Sequence, residues 1–328
     1  MKRQTTLCNK CGKREAIIEI RYASSDFCRN CFMEFFEKRV KKANYDFKLA
    51  RRGDVIAVGV SGGKDSTAML YILDKLAREI GEITLVPILV NEGIKGYRDK
   101  TAKKAREACE RLGFELREYS FEKEYGLTMD GTAAFKKREY PTCSYCGVWR
   151  KALLNKAALE AGANKLAIGH NADDTAQTFL MNLMRRDLPR LTRSGPLSGV
   201  VERDCFARRI KPLIYVLERE TAHYAELLEL PYYRGSCPYS VEAMRGVVKD
   251  FLNAAEFKHP GTKLALLSSF LALKKELGEK TGELDSDESL KKCGECGAPS
   301  ASASCRACAF LKELKNDGFK IKPAGRRE

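Results

Sequence analysis

The sequence predicts an α/β protein, a doubly wound parallel sheet flanked by two small zinc-ribbon fingers. Three observations carry that expectation. Apolar, β-branched runs alternate with helical apolar spacing through the middle of the chain. One of these runs, residues 55–60, feeds directly into the turn Ser61-Gly62-Gly63-Lys64-Asp65-Ser66. Near each end of the chain stands a pair of CxxC motifs.

Composition sets the bounds. A chain of 328 residues can bury a full core in one large domain with small appendages. The expected units are a finger at 1–45, a nucleotide-binding sheet domain at 46–285, and a second finger with a basic tail at 286–328. The formal charge of +15 calls for anionic partners, nucleic acid first. No apolar run is long enough to span a membrane, and the Lys/Cys-rich start lacks the apolar core of a secretory signal. Thirteen cysteines in such a chain favour metal sites in a reducing cytoplasm over a disulfide framework.

In chain order, Cys8-x-x-Cys11 and Cys28-x-x-Cys31 are separated by sixteen residues, a spacing that can present four thiolates tetrahedrally to Zn²⁺. About forty residues have too little core to fold alone, so a metal would supply the missing stability. Residues 16–20 read as a ribbon strand and 32–52 as a basic linking helix. After the 55–60 strand and its turn, Met69, Leu70, Ile72, Leu73, Leu76 and Ile80 recur at helical spacing. A strand at 85–90, a helix at 100–112 and a strand at 115–120 follow. Ligands of such sheets sit at the carboxyl ends of the strands, which places Val90 beside a base or ribose.

Residues 121–142 show little periodicity and read as a mobile loop near the site. Cys143-Ser144-Tyr145-Cys146 then opens a helix at 148–160, and a short strand is expected at 165–169. His170-Asn171-Ala172-Asp173-Asp174 opens the next helix, aiming Asp174 at the same sheet edge as the Gly-rich turn. Asp174 suits Mg²⁺ or a ribose hydroxyl, and both aspartates equally suit a plain helix N-terminus. Arg185, Arg186, Arg190, Arg193, Arg203, Arg208, Arg209 and Lys211 form a basic stretch that fits RNA phosphates. Residues 212–231 read as strand then helix, 241–277 as helices, and 278–289 as a polar linker. Cys293-x-x-Cys296 and Cys305-x-x-Cys308, eight residues apart, make a second four-thiolate site. The last basic residues, 320–327, are a further RNA contact candidate.

Strand, paired glycines and helix together point backbone N–H groups and a positive dipole end at one spot, which suits a phosphate. Gly62 and Gly63 allow close approach, and Ser61 and Ser66 add hydroxyls. The pattern is not G-x-x-x-x-G-K-[ST], because the glycines are adjacent. Of the remaining cysteines, Cys109 and Cys205 read as ordinary. Cys143, Cys146 and Cys237 form a trio in which a helix start would lower thiol pKa. Three thiolates leave one iron of a [4Fe-4S] cluster without a protein ligand. The trio also fits a zinc site lacking one ligand, or a redox pair carrying a persulfide.

The hexapeptide resembles the PP-loop of ATP pyrophosphatases, which split ATP between its α- and β-phosphates. Combined with Cys143-Ser144-Tyr145-Cys146-Gly147, Gly169-His170-Asn171-Ala172-Asp173-Asp174, Cys237-Pro238-Tyr239 and both CxxC pairs, it resembles the tRNA 2-thiolation family over nearly the whole chain. That resemblance implies a PP-loop, Rossmann-like core, two structural Zn²⁺, ATP with Mg²⁺, a [4Fe-4S] cluster and a tRNA substrate. By matching positions it assigns Cys143, Cys146 and Cys237 to the cluster. It assigns Gly59, Val60, Ser61, Gly62, Gly63, Asp65, Ser66, Val90, Gly169 and Asp174 to ATP. Lys64, Arg150 and Asp174 join the three cysteines as catalytic positions.

The implied reaction adenylates the uridine 2-oxygen and replaces it with sulfur. Leu180-Met181-Asn182, Arg190-Leu191 and Ala243-Met244-Arg245-Gly246 favour the branch acting on wobble position 34, although Arg186-Asp187 stands where that branch should have Gly-Asp. The other readings are thiolation of uridine 54 or cytidine 32, lysidine-type tRNA modification, and a non-catalytic zinc-finger RNA-binding factor. The sulfur donor implied is sulfide, a persulfide or a thiocarboxylated ubiquitin-like carrier. The same resemblance allows a homodimer.

Overall fold

The computed structural model describes residues 6–198, 206–242, 244–280 and 291–322. The chain enters as a hairpin of β1 (Ile18–Ile20) and β2 (Ser25–Phe27), followed by α1 (Arg29–Phe47). Next come β3 (Val55–Gly59), α2 (Lys64–Ile80), β4 (Thr84–Asn91), α3 (Arg98–Leu112) and β5 (Arg117–Ser120). Two short helices, α4 (Phe121–Tyr125) and α5 (Met129–Ala134), lead into α6 (Thr142–Glu160) and β6 (Lys165–Ala167). After α7 (Ala172–Met184) and α8 (Leu188–Arg193) the strands β7 (Leu197–Ser198) and β8 (Arg208–Ile210) complete the sheet. The helices α9 (Glu218–Leu227), α10 (Arg245–Lys258) and α11 (Thr262–Lys280) follow. A last hairpin of β9 (Lys291–Lys292) and β10 (Pro299–Ser300) precedes α12 (Arg306–Asn316).

The central sheet has six strands in the order β5-β4-β3-β6-β8-β7. Every neighbouring pair is parallel except β7–β8, an antiparallel edge. The chain first builds outward from β3 through β4 and β5, then crosses to β6 and β8 on the other side. Strand order therefore reverses between β3 and β6. The loops leaving those two strands part there and open a crevice, as in other doubly wound sheets.

Apolar strand residues explain why this sheet is covered on both faces. Ile56, Ala57, Val58, Ile88 and Leu166 are fully buried, as expected where helices flank parallel strands. Both cysteine fingers are pinned by aromatic packing. Helix α1 buries Phe32, Phe36 and Val40, and Phe36 stacks on Tyr224 of α9 with ring centres 4.1 Å apart. At the other end, Phe310 of α12 packs on Tyr145 of α6 at 4.5 Å. The Trp149 indole N–H donates to the Ala307 carbonyl at 3.1 Å, and the Tyr145 hydroxyl bonds Glu313. The C-terminal finger thus sits directly on the helix that carries Cys143 and Cys146.

Several boundaries differ from the sequence reading. Residues 121–142 are not one mobile loop: α4 and α5 lie there, with Phe121 and Met129 fully buried. Helix α6 begins at Thr142, so both cysteines lie within it rather than ahead of it. Strand β6 stops at Ala167, and the strand expected after residue 212 is β8, which ends at Ile210. Helix α1 ends at Phe47 because Lys48 turns left-handed at φ 53°. Cys205 and Arg203 fall outside the described residues, as do most of the expected linker and the end of the tail. Among the described residues no helix is long and apolar enough to cross a membrane.

At Arg186, where the resemblance calls for Gly, the backbone keeps a glycine-like conformation. Its φ is 55°, in the left-handed region that glycine adopts without strain, while Asp187 caps α8 by accepting from the Arg190 amide at 3.0 Å. Replacing Arg186 with glycine relieves that strain against a smaller entropic cost, so Arg186→Gly should stabilise the fold by about 0.5–1 kcal/mol. Urea unfolding of the two proteins checks this.

Candidate active site

The turn after β3 is held by its own side chains. Ser66 Oγ accepts from the Ser61 amide at 3.1 Å, lies 3.0 Å from Ser61 Oγ, and donates to the Gly63 carbonyl at 2.9 Å. Gly63 caps α2, leaving the unpaired N–H groups of its first turn facing the crevice. Gly62, at φ 79°, has no room for a side chain: a Cβ there would stand 1.8 Å from the Thr101 carbonyl oxygen. Its own carbonyl accepts from the Tyr233 amide at 2.9 Å. Gly59 ends β3, and the Val60 amide just beyond it donates to the Ile88 carbonyl at 2.8 Å. Val90 lies in β4, buried beside Ile94 and within reach of the same edge.

Gly169 brings the second loop against the first. A Cβ on it would lie 3.1 Å from the Ser66 amide nitrogen. Asn171 then caps α7 in a reciprocal pair with Asp174, and its amide also donates to Asp65 Oδ1 at 3.1 Å. Asp174 faces Arg245 at 3.5 Å. Asp173 turns the other way, buried against Lys263 and accepting from the Glu218 amide at 2.7 Å. The two carboxylates have separate duties: Asp174 faces the crevice, and Asp173 holds α7, α9 and α11 together.

Charges in the crevice are tightly coupled. Lys64 Nζ lies 2.9 Å from Asp65 Oδ2 and 2.8 Å from Glu218 Oε1, and Lys249 reaches Glu218 at 2.8 Å. Burial pushes the Asp65 carboxyl up to about 6 despite the ammonium of Lys64. Burial would also raise Glu218, but hydrogen bonds from Lys249 and Lys64 hold it down at about 2. Enclosure, then Lys211, Arg245, Arg150 and Lys151, push the His170 imidazole well below its ordinary value. Burial lowers Lys211 to about 8. Of the basic stretch, Lys211 lines a small cavity with His170 and Asp174, whereas Arg190 stays on the surface paired with Asp187.

The cysteine trio converges on the same edge. Helix α6 packs against the 3-10 turn Pro238–Glu242 that follows Cys237. Cys143 Sγ donates to the Tyr239 carbonyl at 3.2 Å, and Cys146 and Cys237 join one hydrophobic cluster with Val90, Ile94 and Tyr97. Contrary to the expected helix-start effect, burial pushes the Cys146 thiol up to about 12, and the Arg150 guanidinium only partly opposes it. Cys146 lies one turn inside α6, beyond the strongest dipole field. Three half-buried thiols beside one cation are a donor set that fits a [4Fe-4S] cluster with one iron left open.

The fingers are tighter. The sulfurs of Cys8, Cys11, Cys28 and Cys31 lie within 4.8 Å of one another, as do those of Cys293, Cys296, Cys305 and Cys308. Backbone amides of Cys305, Cys296 and Glu295 bring the Cys293 thiol down to about 6, as suits a metal thiolate. Both sets can hold a metal ion. Sequence reasoning missed Glu92, Arg98 and Glu218 as site residues. The one local signal for them was charge at element ends, such as Glu92 just beyond an apolar strand.

A phosphate-cradling turn at the switch point of a parallel sheet defines a nucleotide-binding protein of the PP-loop class. A family profile described as a PP-loop domain matches residues 33–255. The chain is 36% identical over 322 residues to the tRNA 2-thiolation protein NcsA of Haloferax volcanii, covering 94% of this chain and 99% of that protein. It is 34% identical to a tRNA-5-methyluridine(54) 2-sulfurtransferase of Pyrococcus horikoshii, with 96% of each covered. The solved U34-tRNA thiolase NcsA of Methanococcus maripaludis, with its [4Fe-4S] cluster, superposes with a TM-score of 0.78 at 33% identity, covering 97% of this chain and 98% of that one. The chain belongs to the PP-loop family of tRNA 2-thiolation proteins.

Two outcomes follow from this geometry. Gly62→Ala must displace the turn from Thr101, and ATP binding measured by calorimetry should weaken by on the order of a hundredfold. The ion pairs of Glu218 stabilise the fold above the ordinary carboxylate range, and that contribution is lost as pH falls through about 2. Glu218→Gln should therefore be less stable than the parent at pH 7, with the gap closing towards pH 2 in denaturant titrations.

Proposed function

We propose that the protein is an ATP-dependent tRNA uridine 2-sulfurtransferase acting at wobble position 34. One observation carries this reading above the others: Glu92 ties the Gly-rich turn, through Arg98, to Arg150, which stands one turn beyond Cys146 on the helix that carries two of the three cysteines. Nucleotide activation at the 2-oxygen and sulfur delivery at C2 then act on the two atoms of one carbonyl group. The +15 net charge and the cations Lys151, Lys211 and Arg245 suit an RNA backbone approaching this region.

In this reading the first-turn N–H groups of α2, with Ser61 and Ser66, cradle the triphosphate. Asp65 and Asp174 hold Mg²⁺, and the backbone around Val90 and Gly169 seats the nucleoside. The uridine 2-oxygen attacks the α-phosphorus, forming a P–O bond as pyrophosphate leaves. Lys64 exchanges Glu218 for phosphate oxygens, and it and Arg150 neutralise the charge developing there. A sulfur nucleophile then attacks C2 and expels AMP. When bound by Cys143, Cys146 and Cys237, a [4Fe-4S] cluster supplies an iron with an open position that can hold the incoming sulfur. The reacting base leaves its stack to reach this depth. Each finger holds one structural Zn²⁺, the unit boundaries fall near 45 and 285, and the enzyme works in the cytoplasm.

The similarity to the uridine-54 enzyme keeps a second position in view. The motifs around Asn182 and Arg245 resemble those of the wobble-uridine branch, which supports position 34; they sit on α7 and α10, joined by the Arg245 bond to Gln177 at 3.0 Å. The test uses anaerobically purified protein with ATP, Mg²⁺, sulfide and unmodified tRNA, followed by mass spectrometry of the digested tRNA. A 2-thiouridine at position 34 is expected, and the same product at position 54 would overturn the position alone. Cys143→Ala and Cys237→Ala should lose at least about a hundredfold in product while binding ATP as the parent does. Full activity in either would remove the trio from the reaction.

A further inference from the structure

Glu92 follows β4 and is only 1% exposed. A buried carboxylate is strongly unfavourable unless paired. It has two partners. Arg98, itself 4% exposed, is ion-paired with Oε2, and Arg150 Nη1 stands 3.6 Å from Oε1.

Those two arginines serve opposite sides of the crevice. Arg98 Nη1 donates to the Ser61 carbonyl at 3.1 Å and to Thr101 Oγ1 at 3.2 Å. Thr101 is the residue whose carbonyl walls Gly62. Arg98 therefore braces the Gly-rich turn from beneath. Arg150 rises from α6 one turn beyond Cys146, and half of its side chain is open to the crevice. At 3.6 Å its contact with Glu92 is an ion pair without a hydrogen bond, which restrains the guanidinium but leaves it able to turn.

We propose that Glu92 is a positioning residue whose one carboxylate fixes Arg98 under the phosphate turn and sets the stance of Arg150 over the crevice. The nucleotide and the three-cysteine face thereby keep one relative geometry. Arg98 keeps its own bonds to Ser61 and Thr101, so the effect of Glu92 on the reaction passes through Arg150. The inference rests on the thiolation reading in one respect, that Arg150 answers phosphate charge.

A double-mutant cycle separates this role from simple structural support. In the full-length, cluster-loaded protein, Glu92→Gln should lower kcat for tRNA thiolation on the order of tenfold while KM for ATP stays within about threefold. In an Arg150→Gln background the same change should cost less than about twofold. Equal losses in both backgrounds, or no loss in either, would overturn the proposal. If Glu92→Gln does not fold, Glu92→Asp keeps the charge but withdraws it from Arg150, and its smaller loss should show the same dependence on background. A second readout needs no activity: phenylglyoxal labelling of Arg150, mapped by mass spectrometry, should quicken several-fold in Glu92→Gln. Unchanged labelling would refute the tether even if no thiolated product forms, whereas faster labelling without product would retain the tether and discard the thiolation reading.

Discussion

The constraint on which the site depends is the closeness of two backbones at the carboxyl edge of β3. Gly62 lies so near the Thr101 carbonyl that it has no space for a side chain, and a Cβ on Gly169 would press on the Ser66 amide at 3.1 Å. The first contact sets the turn after β3 against α3, the second sets the β6 loop against the start of α2, and the N-terminus of α2 is left as the floor of the crevice. Packing density makes such contacts unforgiving, because interiors absorb little displacement. The arginine beneath the turn and the asparagine that joins Asp65 to α7 then fix what the glycines allow. Without the close approach, the hydroxyls and N–H groups would still be present but would not converge.

The fingers extend the same logic outward. Neither has enough core to stand alone, and each borrows one from the sheet domain. Phe32 and Phe36 pack below α9, the helix that begins with Glu218. Phe310 packs on α6 between the residues that carry the cysteines and Arg150. A metal bound in the C-terminal finger would therefore be felt where the trio sits, since Tyr145 and Trp149 lie on the docked face of that helix. Stability of the appendage and geometry of the site share the same aromatic contacts.

The features legible in the sequence are those written in short spans. The Gly-rich turn, both four-cysteine sets, the strand–helix alternation and the paired aspartates each fit within a few residues. What escaped reading is of two kinds. Helices α4 and α5 hold five and six residues, too few for apolar periodicity to register. Their caps, Ser120 and Thr128, were the only signal available. The charge partners escaped because they are remote in sequence: Lys64 and Glu218 are 154 residues apart, and Ser61 and Arg98 are 37. The thiol pKa expectation at Cys146 failed for a third reason. A dipole argument needs only position on the helix, whereas burial depends on everything packed around it.

The arrangement of ion pairs shows how a strongly basic protein can keep a stable crevice for anions. Cations gathered at one edge repel one another and gain little from water when enclosed. Here four of them are met by carboxylates: Lys64 by Asp65 and Glu218, Arg245 by Asp174, Arg98 and Arg150 by Glu92. Three of those four carboxylates are held by a further bond, from Asn171 to Asp65, from Lys249 to Glu218, and through the cap of α7 to Asp174, while Glu92 is shared by two arginines. A phosphate entering the crevice therefore exchanges one anionic partner for another and need not recruit a cation from solvent. The displaced carboxylate keeps its second contact, so exchange leaves no buried charge alone, which is the condition under which buried ion pairs are tolerated.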